Sequence, residues 1–384
     1  MSFPAYRDID LAATPLKWGY YIPGLIEQHR PDIELIEIHL DLSRVGNQLG
    51  HLKLSHPDTD YSWLPVRIEH AMRANKKVGL LFEDEWLTEC NSQFSDIVNH
   101  YQDHSVYCLT QHDRKRIDIH YRGTHGLQGK ILELPWVILN ECLMYNNAKQ
   151  HRVPTVISRG SRVYNNQNTF LTLTGRYEPF RKRMLEKLID HGLDRYGLLT
   201  IQNTPGNKCA YDLDDRVAVE PYYPYRDQPI KTHAKMAAQF EQNDHWISCN
   251  TRNFLHIEQT YLHYPLAIIP ETCFYNYFST EKSVWPILLG KLFLIFGSAG
   301  CMKYIQRFYD IDMSEYLDLE FDRMNIYDDQ DIDRKLDLML DCNREFILNA
   351  QSFHDQNYQH LQAARNTLGP NLYRFVQEQV AQIQ

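Results

Sequence analysis

The 384-residue chain has no apolar run of membrane-spanning length. Its most apolar stretch, residues 284–296, is interrupted by Lys291 and falls short of the roughly 20 residues that a bilayer-spanning helix needs. The first thirty residues carry Asp8, Asp10, Lys17 and Glu27 and lack the apolar core of a secretory signal. No membrane span and a cytoplasmic location are therefore expected. The eight cysteines form neither a C-x-x-C pair nor a closely spaced framework, which argues against a disulfide scaffold or zinc ribbon and favours reduced thiols. Internal repeats and low-complexity tracts are also missing. Basic residues are outnumbered, 40 against 49, for a formal charge of −9. That balance argues against broad coating of nucleic acid, although a local basic cleft survives such an average. Arg114, Lys115 and Arg116 form one cluster that could line it, and Arg176, Arg181, Lys182 and Arg183 another.

With 43% hydrophobic and 23% charged residues the chain has the make-up of an ordinary globular protein, and its length suits two domains better than one. Residues 35–40 alternate like a half-buried strand, and residues 78–82 read as a fully buried one. Residues 106–109 and 131–134 are further strand candidates, with helical patterning at 66–74 and 93–100 between them. This alternation predicts one α/β domain. Residues 146–169, rich in Asn, Gln, Arg and Ser, read as a linker or exposed loop. The second half resumes with strands at 169–174, 198–201 and 265–269, and with helices at 178–193 and 231–241. In the helix at 178–193, Phe180, Met184, Leu185, Leu188 and Ile189 share an apolar face and the basic residues lie opposite. Beyond residue 310 the chain becomes acidic, and residues 332–350 and 359–384 read as amphipathic helices.

The organising stretch is residues 279–300. Ser279 or Thr280 can cap a helix, Glu281 suits the positive end of its dipole, and Gly290 is a natural stop. Residues 292–296 form a buried strand, and residues 297–300 make a turn before another helical segment. Ligands of open α/β sheets lie at strand carboxyl ends, where helix N-termini attract phosphate. A nucleotide is thus expected near Glu281, Lys282, Gly297 and Ser298. Glu271 and Arg176, each following a strand, could add contacts to a ribose and a diphosphate. The alternative is a surface Glu-Lys pair beside an ordinary helix cap.

Other constellations are weaker. His100 and His104 have the spacing of a helix-borne metal pair but no third ligand, so an exposed polar face is the expected reading. Asp212, Asp214 and Asp215 resemble an Asp-x-Asp metal motif without its strand context. Tyr222, Tyr223 and Tyr225 could stack on a base or pack a loop, and Trp18, Tyr20 and Tyr21 raise the same question for an acceptor. Glu83, Asp84 and Glu85 follow a buried strand and are the best-placed carboxylates for a general base.

The pattern Pro270-Glu271-Thr272, Thr280-Glu281-Lys282, Pro286-Ile287-Leu288-Leu289-Gly290 and Gly297-Ser298 resembles the donor-binding segment of the inverting α1,3-fucosyltransferases. It is more similar still to phage and bacterial glycosyltransferases with a Thr-Glu-Lys motif and an upstream Asn-Gly-Arg-x-x-x-x-Arg segment. Here that segment reads Thr174-Gly175-Arg176-Tyr177-Glu178-Pro179-Phe180-Arg181. The resemblance covers about 60 residues and departs from the fucosyltransferases at Pro270-Glu271-Thr272, where they have Glu-Asn-Ser.

What it implies is a GT-B architecture, two facing Rossmann-like α/β domains with C-terminal helices. An acceptor-side domain would span 1–160, a nucleotide-sugar domain 161–345, and a helix at 346–384 would pack back on the first domain. Glu281 would bind the ribose, Lys282 and Arg176 the diphosphate, and Glu271 the sugar or the site floor, with Arg181, Thr280, Gly297 and Ser298 completing the donor site. The reaction would be a metal-independent, inverting transfer from a UDP- or GDP-linked sugar, with no cofactor. One acceptor is the hydroxymethyl group of a modified cytosine in phage DNA, taking a pentose such as arabinose or a hexose; the other is a surface glycan or lipid-linked sugar. A catalytically silent nucleotide-sugar-binding module is the alternative outside enzymology.

Overall fold

A computed structural model describes residues 3–11, 13–15, 20–38, 60–82, 92–111, 126–150, 169–174, 179–203, 218–221, 264–271, 281–326 and 328–384. Contact density divides the chain into two units. The first comprises Met1–Asn140, Asn276–Phe278 and Gly369–Gln384, and the second Glu141–Tyr275 and Ser279–Leu368.

The first unit contains helix α1 (Tyr21–His29), strand β1 (Ile33–Ile38), α2 (Leu64–Arg73), β2 (Lys77–Phe82), α3 (Ser92–His100), β3 (Val106–Thr110) and β4 (Lys130–Glu133). The first turn of α4 (Trp136–Gln150) belongs to it as well. Its strands pair in parallel in the order β1-β2-β3-β4, so each crossover advances the sheet by one strand. The core lies under α2 and α3, where Tyr61, Leu64, Ile68, Phe94 and Val98 meet Ile36, Val78, Leu80 and Cys108.

Two expectations need correction here. Residues 146–150 are not linker, because α4 continues through them. Tyr20 and Tyr21 are 8% and 2% exposed, so they serve the core rather than an acceptor surface, and burial pushes the Tyr21 hydroxyl up to about 12. Helix α1 is hidden in the sequence by Pro23 and Gly24. Pro23 falls in its first turn, where the missing N–H costs nothing.

The second unit holds β5 (Phe170–Thr174), α5 (Pro179–Asp190), β6 (Gly197–Asn203), β7 (Ala218–Pro221), β8 (Leu266–Pro270), α6 (Glu281–Leu288), β9 (Leu292–Phe296) and α7 (Cys301–Gln306). After them come α8 (Asp329–Cys342), α9 (Arg344–Leu348) and α10 (Ala350–Ala381), whose last part belongs to the first unit. The five strands are parallel in the order β7-β6-β5-β8-β9. β8 and β9 are buried at every position, as their uninterrupted apolar sequences require of a sheet covered on both faces. Gly290, at φ +65°, ends the α6 segment in a left-handed turn that only glycine adopts freely.

The single helix expected at 332–350 is instead two, α8 and α9, closed by Asn343 and Asn349, with α10 beginning at Ala350. Asn343 uses its side chain there, accepting from the Asp318 amide and donating to the Asp318 and Met339 carbonyls. Such bonds compete with the helical ladder. Among the described residues no helix is long and apolar enough to cross a membrane.

Candidate functional site

From β5 the chain of the second unit winds outward through β6 to β7, then returns to the other side of β5 with β8 and continues to β9. The reversal lies between β5 and β8. Open α/β sheets have their ligand crevice at the carboxyl ends of the two strands that flank such a reversal. Backbone pairing adds a second observation. β5 pairs with β6 along its whole length and β8 with β9 along theirs, whereas β5 and β8 are in register at Phe170–Leu266 and Leu171–Ala267 alone. The paired end is the amino end, and beyond it no further pairing is registered among the described residues. That is the end where Thr174 leads to Arg176 and Pro270 leads to Glu271.

Glu271 is 1% exposed. Its amide donates to the Phe296 carbonyl at 2.8 Å, extending the β8–β9 ladder by one bond. Its carboxylate accepts a hydrogen bond from the hydroxyl of Ser283, the third residue of α6, which is fully buried. The start of α6 is thereby tethered to the carboxyl end of β8: Glu281 opens the helix, Lys282 follows half-buried, and Ser283 makes the bond. Gly297 faces the same carboxylate. A Cβ at position 297 would meet the Glu271 Cβ at 3.2 Å, so the absence of a side chain lets the two strand ends approach. Ser298 is 1% exposed, and its hydroxyl has no hydrogen-bond partner among the described residues.

The turn at 297–300 is supported from below. Lys335 on α8, fully buried, donates to the Gly297 carbonyl at 2.7 Å and to the Met324 carbonyl at 3.1 Å. The helix that follows this turn has its N-terminus occupied by a side chain. Asp322 accepts from the amides of Met302 and Lys303 at 3.2 and 3.3 Å and from the Cys301 thiol at 3.3 Å, and so caps α7, itself only six residues long. Burial, with the Asp322 charge adding, pushes the Cys301 thiol well above its ordinary value, which makes it a poor nucleophile.

Arg181 lies in the first turn of α5, directly after β5, and is 2% exposed. Other basic residues on and just beyond that helix are engaged as well. Arg183 binds Asp333 through both its Nε and a terminal nitrogen, Lys187 reaches Asp337 at 2.8 Å, and His191 lies 3.1 Å from Asp337 and 3.2 Å from Asp341. Lys182 pairs with Glu186 at 3.4 Å. Lys182 and Arg183 are thus paired with acidic residues within the unit. This zipper had a sequence signal that pattern reading missed: Arg183, Lys187 and His191 repeat every four residues, as do Asp333, Asp337 and Asp341.

Arg176, Thr280 and the carboxylates Glu83, Asp84 and Glu85 lie outside the described residues, as do Asp212, Asp214 and Asp215, Trp18, the tyrosines at 222, 223 and 225, and the helix expected at 231–241. The structure therefore brings together Glu271, the start of α6, Gly297 and Ser298. It does not pair His100 with His104 on one helix, because α3 ends at His100; both rings instead contact Tyr101. Among the described residues no group of three or more His, Cys, Asp or Glu could hold a metal. No protein-family model matches the chain, and none of the curated proteins matches it significantly.

Proposed function

We propose that the protein is an inverting glycosyltransferase of GT-B type that takes its sugar from a nucleotide diphosphate donor held at the β5/β8 crevice of the second unit. The observation that carries this reading is the coincidence of the sheet's reversal point with the Glu271–Ser283 bond, which ties the helix start that carries Glu281 and Lys282 to the strand end where a sugar nucleotide would lie. In this reading Glu281 accepts from the ribose hydroxyls, and Lys282 and Arg176 take the diphosphate, whose negative charge grows as the glycosidic bond breaks. Glu271 orients the start of α6 and floors the site, and Ser298 offers a hydroxyl at the same strand edge. One of Glu83, Asp84 and Glu85 removes the acceptor proton while the acceptor oxygen attacks the anomeric carbon opposite the departing nucleotide.

The charge pairing of α5 with α8 bears on the acceptor. It leaves Arg114, Lys115 and Arg116 as the basic cluster that a hydroxymethylated DNA acceptor would need, and a neutral glycan needs none.

The test is a thermal-shift panel of UDP-, GDP-, CDP- and TDP-sugars, in which a true donor stabilises the native state. One class is expected to raise Tm and to be hydrolysed slowly, and Glu281→Ala to abolish the shift. A panel without effect, or a shift that survives Glu281→Ala, removes the proposal. Stabilisation by UDP or GDP with no sugar ever consumed favours the silent binding module.

A further inference from the structure

The carboxyl edge of the first unit's sheet, the edge at which open α/β sheets bind ligands, holds buried N–H groups that the proposed sugar-nucleotide site does not use. β3 ends at Thr110 and β4 at Glu133, so Gln111 and the start of α4 lie at that edge. Two carboxamides tie the segments together there. Gln111 Oε1 accepts from the Val137 amide in the first turn of α4 at 3.1 Å. Asn140 Oδ1, at the end of that turn, accepts from the amide of Tyr21, the first residue of α1, also at 3.1 Å. Because each oxygen faces a backbone N–H, the orientation of each amide is fixed; a flip would set donor against donor. Each NH2 group therefore points away from the helix start that its oxygen caps. Neither has a hydrogen-bond partner among the described residues, although Gln111 is 5% exposed and Asn140 1%. The indole Nε1 of Trp136, also 1% exposed and one turn before Asn140 on the same side of α4, is a third buried N–H without a partner there.

A buried N–H without an acceptor loses its solvation uncompensated, so three gathered on one helical turn point to a group that the chain itself does not supply. Their chemistry selects that group. A water accepts hydrogen bonds but must also donate two, and these three groups offer it no acceptor; a hydroxyl has the same defect. A carboxylate only accepts, and its two oxygens carry lone pairs enough for all three N–H groups. The starts of α1 and α4, joined through Asn140 and each the positive end of a helix dipole, favour a negative charge between them. No lysine or arginine belongs to the set, and Glu133, which ends β4, is itself buried. A doubly charged phosphate would lack a compensating cation there, whereas a single charge is within reach of N–H groups and helix ends.

We infer that the first unit binds one carboxylate group between the starts of α1 and α4, held by the Gln111 and Asn140 carboxamides and the Trp136 indole. The inference rests on the first unit alone and not on the sugar-nucleotide site of the second. The test titrates the full chain, labelled with 15N, with acetate, glucuronate, glucose and inorganic phosphate. The chain has six tryptophans, and Trp136→Phe assigns the indole N–H signal of Trp136. Acetate and glucuronate are expected to move that signal downfield, as a new hydrogen bond to an anion does, and to saturate it; glucose and phosphate are expected to leave it in place. Saturation by glucuronate at a concentration at least tenfold below that of acetate identifies a sugar acid as the source of the carboxylate, and equal affinity a small free acid. Gln111→Glu and Asn140→Asp each keep the oxygen that caps a helix and replace the unpartnered NH2 group by a second oxygen. Each should weaken acetate binding at least tenfold, with the remaining indole signals showing that the fold persists. The inference is overturned if no carboxylate moves the Trp136 signal, if glucose or phosphate moves it as strongly, or if either carboxyl variant binds acetate as the parent does. Thermal shifts with sugar nucleotides on the same samples report the second unit separately. A sugar-nucleotide shift without an acetate response sinks this site alone, and an acetate response without that shift supports this site while removing the sugar-nucleotide one.

Discussion

At the scale of single residues, Glu271 and Glu281 have opposite predicted phenotypes. Glu271 is buried and holds Ser283, so Glu271→Ala strands a buried hydroxyl and is expected to cost about 2 kcal/mol in chemical denaturation. Glu281→Ala is expected to leave the denaturation midpoint in place and to remove donor binding. Equal loss of stability in both variants would make the motif an ordinary helix start. Lys335 links stability to the site from the other side. Replacing it by Ala leaves the Gly297 and Met324 carbonyls unpartnered in the interior. A loss of about 2–3 kcal/mol is expected, together with weaker donor binding, because the turn that carries Ser298 loses its support. Normal donor affinity in Lys335→Ala would show that the turn does not contribute.

Among the helices, the α5–α8 zipper is the testable feature. Its pairs are partly exposed, so each is worth little despite good geometry. A double-mutant cycle on Arg183 and Asp333 should give a coupling of about 0.5–1 kcal/mol, diminished by salt. The hydrogen bonds from Arg183 hold the Asp333 carboxyl below the usual aspartate range. Its pKa is therefore lower folded than unfolded. The stabilisation it gives is complete above about pH 4, the unfolded value, and is lost as pH falls through the folded one. Asp333→Asn should flatten the acid limb of the stability profile; an unchanged limb would mean that the pair contributes nothing. The zipper also shows how basic residues that read as an open charged face in sequence are paired with acidic partners in the fold.

At the scale of the whole molecule, the last sixteen residues belong to the first unit although they follow the second in sequence. Leu372, Tyr373, Val376, Val380 and Ile383 are buried, and Arg30 donates to the Val380 and Ile383 carbonyls at 2.9 Å each. Five such side chains at about 1.5–3 kcal/mol apiece rival the entire stability of an ordinary domain. Truncation after Leu368 should therefore unfold the first unit, seen as loss of hydrogen-exchange protection in β1–β4. Retained protection there would refute the estimate.

Every strand but β7, and most helices, were legible from the sequence because burial imposes its own period. The apolar run at 292–296 could only be a covered strand, and Phe180, Met184, Leu185, Leu188 and Ile189 could only be the inner face of α5. The start of α6 at Glu281 and the stop at Gly290 were equally local, being set by helix-end chemistry and by a backbone angle that glycine alone adopts freely. The relations between distant segments were not legible. Strand order, and with it the crevice between β5 and β8, depends on which crossovers bury the most apolar surface. The capping of α7 by Asp322 and the cancelling of the α5 charges by α8 depend on side chains 20 and 150 residues away. A one-dimensional pattern records what each residue prefers; the fold alone decides which partner meets that preference, and so which charges and helix ends remain for a ligand.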